Sequence, residues 1–319
     1  MNLCRGVFRW LLAVVLCAAA GWEARSEPAG RDQEPQPYTI RTTSRLVLLD
    51  VSVKDAAGGL VTELGQQNFE VYEDGKLQQI TQFAHADIPV TVGLAVDESG
   101  SMRPKQPEVI TAALAFIQAS NPQDEIFVVN FNEKPRRGLP DIQLFSDDIQ
   151  QLRAALWRGV PEGRTALYDA IEMALQQLDF GRRDKKSLIV ISDGGDNVST
   201  HKLPDVMHDV LESVATIYTI GIYDEDDPDK NPAVLKRIAH VSGGGAYFPK
   251  KLDDIVPICR DIAKDIRTRY TIGYIPVAGD RSSERHIRVV ARAQNGQKLM
   301  VRTRTSYLFT PDAGESDRK

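Results

Sequence analysis

The run Val90-Thr91-Val92-Gly93-Leu94-Ala95-Val96, followed at once by Asp97-Glu98-Ser99-Gly100-Ser101, constrains this chain more than any other stretch. A short, β-branched and nearly all apolar run of this kind suits a strand buried on both faces, as in a parallel sheet. The switch to a carboxylate and two hydroxyls on alternate residues places three oxygen side chains just past the strand's carboxyl end. Open α/β sheets bind their ligands at that edge. A second run, Lys186-Ser187-Leu188-Ile189-Val190-Ile191-Ser192, ends in Asp193-Gly194-Gly195-Asp196-Asn197. Between them, Gly163-Arg164-Thr165-Ala166-Leu167-Tyr168-Asp169-Ala170 reads as a loop opening a helix.

Asp97, Ser99, Ser101, Thr165 and Asp193 would thus meet from three loops. Oxygen-only ligands suit a hard cation such as Mg²⁺. Singly, Ser99, Ser101 and Thr165 suit helix caps, and Asp97 suits a turn. Jointly and in this order, D-x-S-x-S with a distant Thr and a distant Asp, they resemble the von Willebrand factor type A (VWA) domain and its metal-ion-dependent adhesion site. The resemblance covers roughly residues 88–265 and departs from the motif at none of the five positions. It implies a doubly wound α/β fold, Mg²⁺ (or Mn²⁺) as cofactor, and a protein partner offering an exposed Asp or Glu. In the family the serines bind the ion directly and the aspartates often act through water, which leaves the ion electrophilic. Glu98, Arg164, Gly194 and Asp196 are expected to rim the contact.

The rest of the chain is organised around this unit. Residues 1–26 carry Arg5, Arg9 and the ten-residue apolar stretch Leu11–Ala20 before small residues, and read as a signal peptide. Residues 27–37 are a Pro- and Glu-containing flexible spacer. Residues 38–87 are strand-like, with Asp74-Gly75 as a hairpin turn before Leu77–Phe83. Strands and helices alternate over 88–267, including an edge hairpin over Pro135–Phe145 and a last helix at Asp253–Arg267. Residues 268–309 return to β-structure, with an Asn295-Gly296 turn before Leu299–Arg304, and 310–319 form a disordered polar tail. Neither β-rich flank has enough apolar surface to stand alone. We therefore expect 38–87 and 268–309 to form one small antiparallel β-sandwich into which the α/β unit is inserted. Contact between Val47–Val53 and the final hairpin is the test of that arrangement.

Composition narrows the function. The formal charge is −5, and removal of residues 1–26, with three arginines and one glutamate, takes it to −7. That disfavours nucleic acid as the main partner. The basic cluster Arg182-Arg183 with Lys185-Lys186 reads as a solvated loop. Of three cysteines only Cys259 lies outside the leader, so no disulfide framework exists and a buried thiol is expected. The acidic stretch Asp224–Asp229 lacks the glycine and spacing of a calcium loop and reads as solvated. An enzyme is the first rival, but phosphate-loop, H-E-x-x-H and G-x-S-x-G motifs are absent from the sequence, and His85, His201, His208, His240 and His286 are scattered. A module that the metal merely stabilises is the second. Location is expected to be exported, periplasmic or extracellular.

Overall fold

The computed structural model describes residues 46–223, 230–277 and 282–310. The signal peptide, the spacer, Asp224–Asp229 and the tail beyond 310 lie outside the described residues. The strands are β1 (Val47–Lys54), β2 (Phe69–Glu73), β3 (Lys76–Gln78), β4 (Ile80–Ala84), β5 (Val90–Asp97), β6 (Glu125–Phe131), β7 (Pro135–Arg137), β8 (Lys185–Ser192), β9 (Thr216–Gly221), β10 (Ala246–Tyr247), β11 (Tyr270–Tyr274), β12 (Ser283–Ala291), β13 (Met300–Arg302) and β14 (Ser306–Phe309). The helices are α1 (Gln106–Ala119), α2 (Ile149–Leu156), α3 (Leu167–Asp179), α4 (Leu203–Glu212), α5 (Pro232–Ser242) and α6 (Ile255–Arg267).

The apolar runs build a six-stranded sheet in the order β10-β9-β8-β5-β6-β7, parallel except for β7. Every residue of β5, β6 and β9 is buried, as a sheet covered on both faces requires. Helix α1 packs on α2 and α6, while α4 packs on α3 and α5. From β5 the chain crosses to β6 on one side and returns to β8 on the other. The sheet therefore switches direction at β5, and the crevice this opens lies beyond the carboxyl ends of β5 and β8.

Two four-stranded antiparallel sheets make up the β-sandwich: β13-β1-β11-β4 and β14-β12-β2-β3. Each contains strands from before and after the α/β unit. β1 pairs with β11 (Leu49 opposite Ile272) and with β13 (Val53 opposite Val301). Leu49, Val51 and Val53 alternate inward against Phe69, Val71, Tyr270, Ile272, Val289 and Phe309. At one end of this core Glu73 is buried, but Arg285 Nη1 (2.7 Å), Tyr274 Oη (2.6 Å) and Tyr307 Oη (2.9 Å) all donate to its carboxylate. Among the described residues, no helix is long and apolar enough to cross a membrane.

Several local expectations are corrected. Pro135–Phe145 is not a full hairpin: only Pro135–Arg137 pair with β6, and Ser146 returns in an isolated bridge to Ile126. Leu77–Phe83 divides at Ile80, β3 joining one sheet and β4 the other. After Asn295-Gly296 only Arg292 and Lys298 bridge; β13 then leaves for β1, and β14 returns to β12. A sandwich that closes on strands from two distant segments needs such crossings between sheets. The basic cluster is not merely solvated. Lys185 is buried, 3.4 Å from Asp50 Oδ1, and Arg182 Nε lies 2.9 Å from Glu125 Oε1.

Candidate metal centre

Asp97 is the last residue of β5, and Ser192 is the last of the neighbouring β8. Their strand ends bring Ser192 Oγ within 2.7 Å of Asp97 Oδ2, while Asp97 Oδ1 accepts from the Ser99 amide at 2.8 Å. Asp193 Oδ1 accepts from the Gly195 amide at 3.0 Å, and its Oδ2 accepts from Ser101 Oγ at 2.7 Å. Ser99 Oγ and Ser101 Oγ are 3.1 Å apart. Four of the five expected oxygen-bearing side chains therefore join in one connected group. Thr165, also buried, is brought to these loops through its backbone. Its amide donates to Asn197 Oδ1 and its carbonyl accepts from the Asn197 amide, both at 3.0 Å. Nearby, the Gly100 amide donates to the Gly163 carbonyl at 3.1 Å. Ser192 and Asn197 were not singled out from sequence. Their only signal is position, next to Asp193 and within the loop that follows it.

The electrostatics bear on whether a cation fits. Asp97 and Asp193 are 2% and 3% exposed, and among the described residues neither forms an ion pair with Lys, Arg or His. Burial, reinforced by the neighbouring Asp193 charge, pushes the Asp97 carboxyl up to about 7 from an ordinary 3.8. Two anions thus share one desolvated place without a counter-charge. The surrounding hydroxyls can turn lone pairs outward as readily as they now donate. Ser101 is exposed, which leaves one side of the group open to solvent. The donor set fits a divalent hard cation.

The expected rim divides. Arg164 is exposed, and its guanidinium contacts the Asn197 carbonyl. Asp196 is half-buried and caps α3, accepting from the Tyr168 amide at 3.2 Å and from Ser199 Oγ at 2.5 Å. Glu98 and Gly194 are buried and do not face outward. Glu98 turns inward, where Arg136 Nη2 lies 2.5 Å from its Oε2. Burial raises its carboxyl above the usual range despite that partner. A Cβ at Gly159 would fall 1.7 Å from the same oxygen, so any larger residue there forces Glu98 and its Arg136 partner, or the loop before Thr165, to shift. Gly194 has φ +82°, and a Cβ there would meet the Asn231 carbonyl at 2.7 Å.

Residues 92–195 match the family model for the von Willebrand factor type A domain. This chain carries a VWA domain. Among solved structures, the von Willebrand factor type A protein from Catenulispora acidiphila is similar at 16% identity with a TM-score of 0.51, over 79% of this chain and 76% of that one. The VWA domain of the type V pili tip protein Mfa5 from Porphyromonas gingivalis is similar at 15% identity with a TM-score of 0.44, over 56% of this chain and 95% of that one. An uncharacterised protein of Synechocystis sp., sll0103, is 28% identical over 167 residues. That alignment takes in 50% of this chain and 38% of the longer relative. The VWA region here begins at the first strand of the parallel sheet and includes Asp97, Ser99, Ser101, Thr165 and Asp193.

Proposed function

We propose that this chain is an exported protein that binds a partner through a divalent cation, with Mg²⁺ or Mn²⁺ held by Asp97, Ser99, Ser101, Thr165 and Asp193. The observation that carries the reading is the pair of buried carboxylates, Asp97 and Asp193, converging with serine hydroxyls and lacking a cationic partner among the described residues. When bound, the cation supplies an electrophilic site for an acidic side chain of the partner.

The residues divide the work. The Ser99 amide and Ser192 hydroxyl fix the Asp97 carboxylate, and the Gly195 amide fixes that of Asp193. Ser99, Ser101 and Thr165 contribute neutral oxygens, so the donor set carries at most two negative charges. An incoming Asp or Glu then meets a cation centre that carries no net negative charge, so it is not repelled when it takes a coordination position. Arg164, exposed beside it, adds a favourable rim charge for an acidic partner. Glu98 and Arg136 act behind the centre by holding the loop that leads to Thr165.

Calorimetric titration of Mg²⁺ into the purified chain is expected to show one equivalent bound, lost in Asp97→Ala. Capture of a partner from the cell envelope is expected to require the cation and to be reversed by EDTA. Binding of a partner that persists in EDTA, with a cation that only raises the melting temperature, would reduce the centre to a structural element. Phosphate-ester turnover lost in Asp97→Ala would replace adhesion with catalysis.

A further inference from the structure

A second group of donors lies on the other side of the loop that begins at Asp193. Asp169 and Glu172 are one turn apart on α3, and His201 stands just before α4. His201 Nδ1 is 2.8 Å from Asp169 Oδ1 and 2.6 Å from Glu172 Oε2. One donor atom from each of the three residues falls within 4.8 Å of the others. The Asp169 carboxylate is fixed from behind by the Thr200 amide (3.0 Å) and the His201 amide (2.9 Å).

The charge around the group is one-sided. Asp205 acts electrostatically on His201, Asp169 acts on Asp196, and Asp209 stands among His201, His208, Asp205 and Glu212. Among the described residues, no Lys or Arg forms an ion pair with Asp169, Glu172, Asp205 or Asp209. Among the described residues His201 and His208 are the basic groups that act on these carboxylates, and Lys202 follows His201 in the chain. One Nδ1 proton must serve two carboxylates at once, and even a charged imidazole leaves the trio with a net negative charge.

We propose that Asp169, Glu172 and His201 form a second divalent-cation site, distinct from the hydroxyl-lined centre and suited to a transition metal such as Zn²⁺ or Co²⁺. One imidazole nitrogen and two carboxylate oxygens are a donor set that such ions accept, and coordination positions remain for water. Hard Mg²⁺ gains little from the nitrogen, so Mg²⁺ distinguishes the two centres while a transition metal can enter both. Ligand bonds of about 2.0–2.2 Å place tetrahedral donors about 3.3 Å apart, so the present contacts open by about half an ångström on uptake. The Asp169, Glu172 and His201 side chains retain 19%, 24% and 40% exposure and have room for that shift. Uptake displaces the shared Nδ1 proton, so binding weakens as the pH falls. A cation here ties α3 to the end of the loop whose beginning carries Asp193, and Asp196 and Ser199 along that loop already cap α3.

The site stands independently of the function proposed above. The test is a Co²⁺ titration of the full chain, followed by visible absorption and calorimetry, in wild type, Asp97→Ala, His201→Gln and Glu172→Gln. Two classes of bound Co²⁺ are expected in wild type. His201→Gln and Glu172→Gln should each weaken one class at least tenfold while the Mg²⁺ titration is unchanged, and Asp97→Ala should leave that class intact. Circular dichroism melts identify any variant that fails to fold, and the paired glutamine variants keep the test decisive if one does. Co²⁺ binding that is identical in wild type, His201→Gln and Glu172→Gln overturns the site and leaves an ion pair. Loss of Mg²⁺ binding in none of the variants overturns the adhesion centre instead.

Discussion

At the scale of single residues, the centre is set by where two strands stop. Asp97 and Ser192 end adjacent parallel strands, so their hydrogen bond requires no loop to be placed first. The cost is a carboxyl raised to about 7 without a cation. The folded chain then holds a proton that the unfolded chain releases near 3.8. In EDTA, stability therefore falls as the pH rises from about 4 to 7 and is flat above. Asp97→Asn is expected to flatten that dependence by up to about 3 kcal/mol between pH 5 and 8, measured by urea unfolding at each pH. Added Mg²⁺ should stabilise wild type more at pH 8 than at pH 5. Gly159→Ala drives a methyl group into Glu98, and a loss of about 1–3 kcal/mol is expected in the same measurement, with weakened Mg²⁺ binding. The meeting of Asp97, Ser99, Ser101 and Asp193 was legible in the sequence because they follow the ends of two buried strands, whereas Thr165 precedes α3 and joins through backbone bonds. The inward turn of Glu98 was not, because a sequence does not say which way a side chain faces where a strand gives way to a loop.

At the scale of elements, the last helix of the α/β unit is fixed to the sandwich by a buried polar group. Asp265 on α6 accepts from Ser52 Oγ on β1 (2.5 Å), Tyr218 Oη on β9 (2.6 Å), Arg302 Nη2 on β13 (2.8 Å) and Arg269 Nη2 (3.1 Å). Arg269 also donates to the Gly243 and Asp50 carbonyls. Burial alone would raise the Asp265 carboxyl, but Arg269 and Arg302 outweigh it and hold it well below the usual range. Its stabilisation is therefore present above about pH 4 and is lost as the pH falls further. Asp265→Ala leaves buried arginine charge uncompensated, and a loss of about 3–5 kcal/mol is expected in chemical denaturation. Element types along the parallel sheet were readable because periodicity distinguishes a buried run from an amphipathic helix. The split at Ile80 and the return of β14 were not, because a strand that changes sheets keeps the same local alternation.

At the scale of the whole molecule, each sandwich sheet is completed by chain from both sides of the VWA domain. Removing residues 268–310 takes β11 from between β1 and β4 and β12 from beside β2. Residues 46–87 are then expected to become sensitive to limited proteolysis, while the parallel sheet keeps its far-ultraviolet signal. Survival of an intact protease-resistant fragment spanning 46–87 would refute that interdependence. The β-rich character of both flanks was legible from alternation and turn residues; their register was not, because pairing partners lie more than two hundred residues apart.

Where the chain enters the inserted unit, Asp87 meets Arg267, where the chain leaves it, with Arg267 Nη2 2.5 Å from Asp87 Oδ2. A segment whose two ends meet in an ion pair asks its host for a narrow gap between two strands, and its buried Asp265 asks in addition for the cationic partners that Arg269 and Arg302 supply here. Grafted into an unrelated scaffold at a tight β-turn, residues 87–267 would span the gap without stretching the recipient, provided the new host offers Asp265 a positive charge.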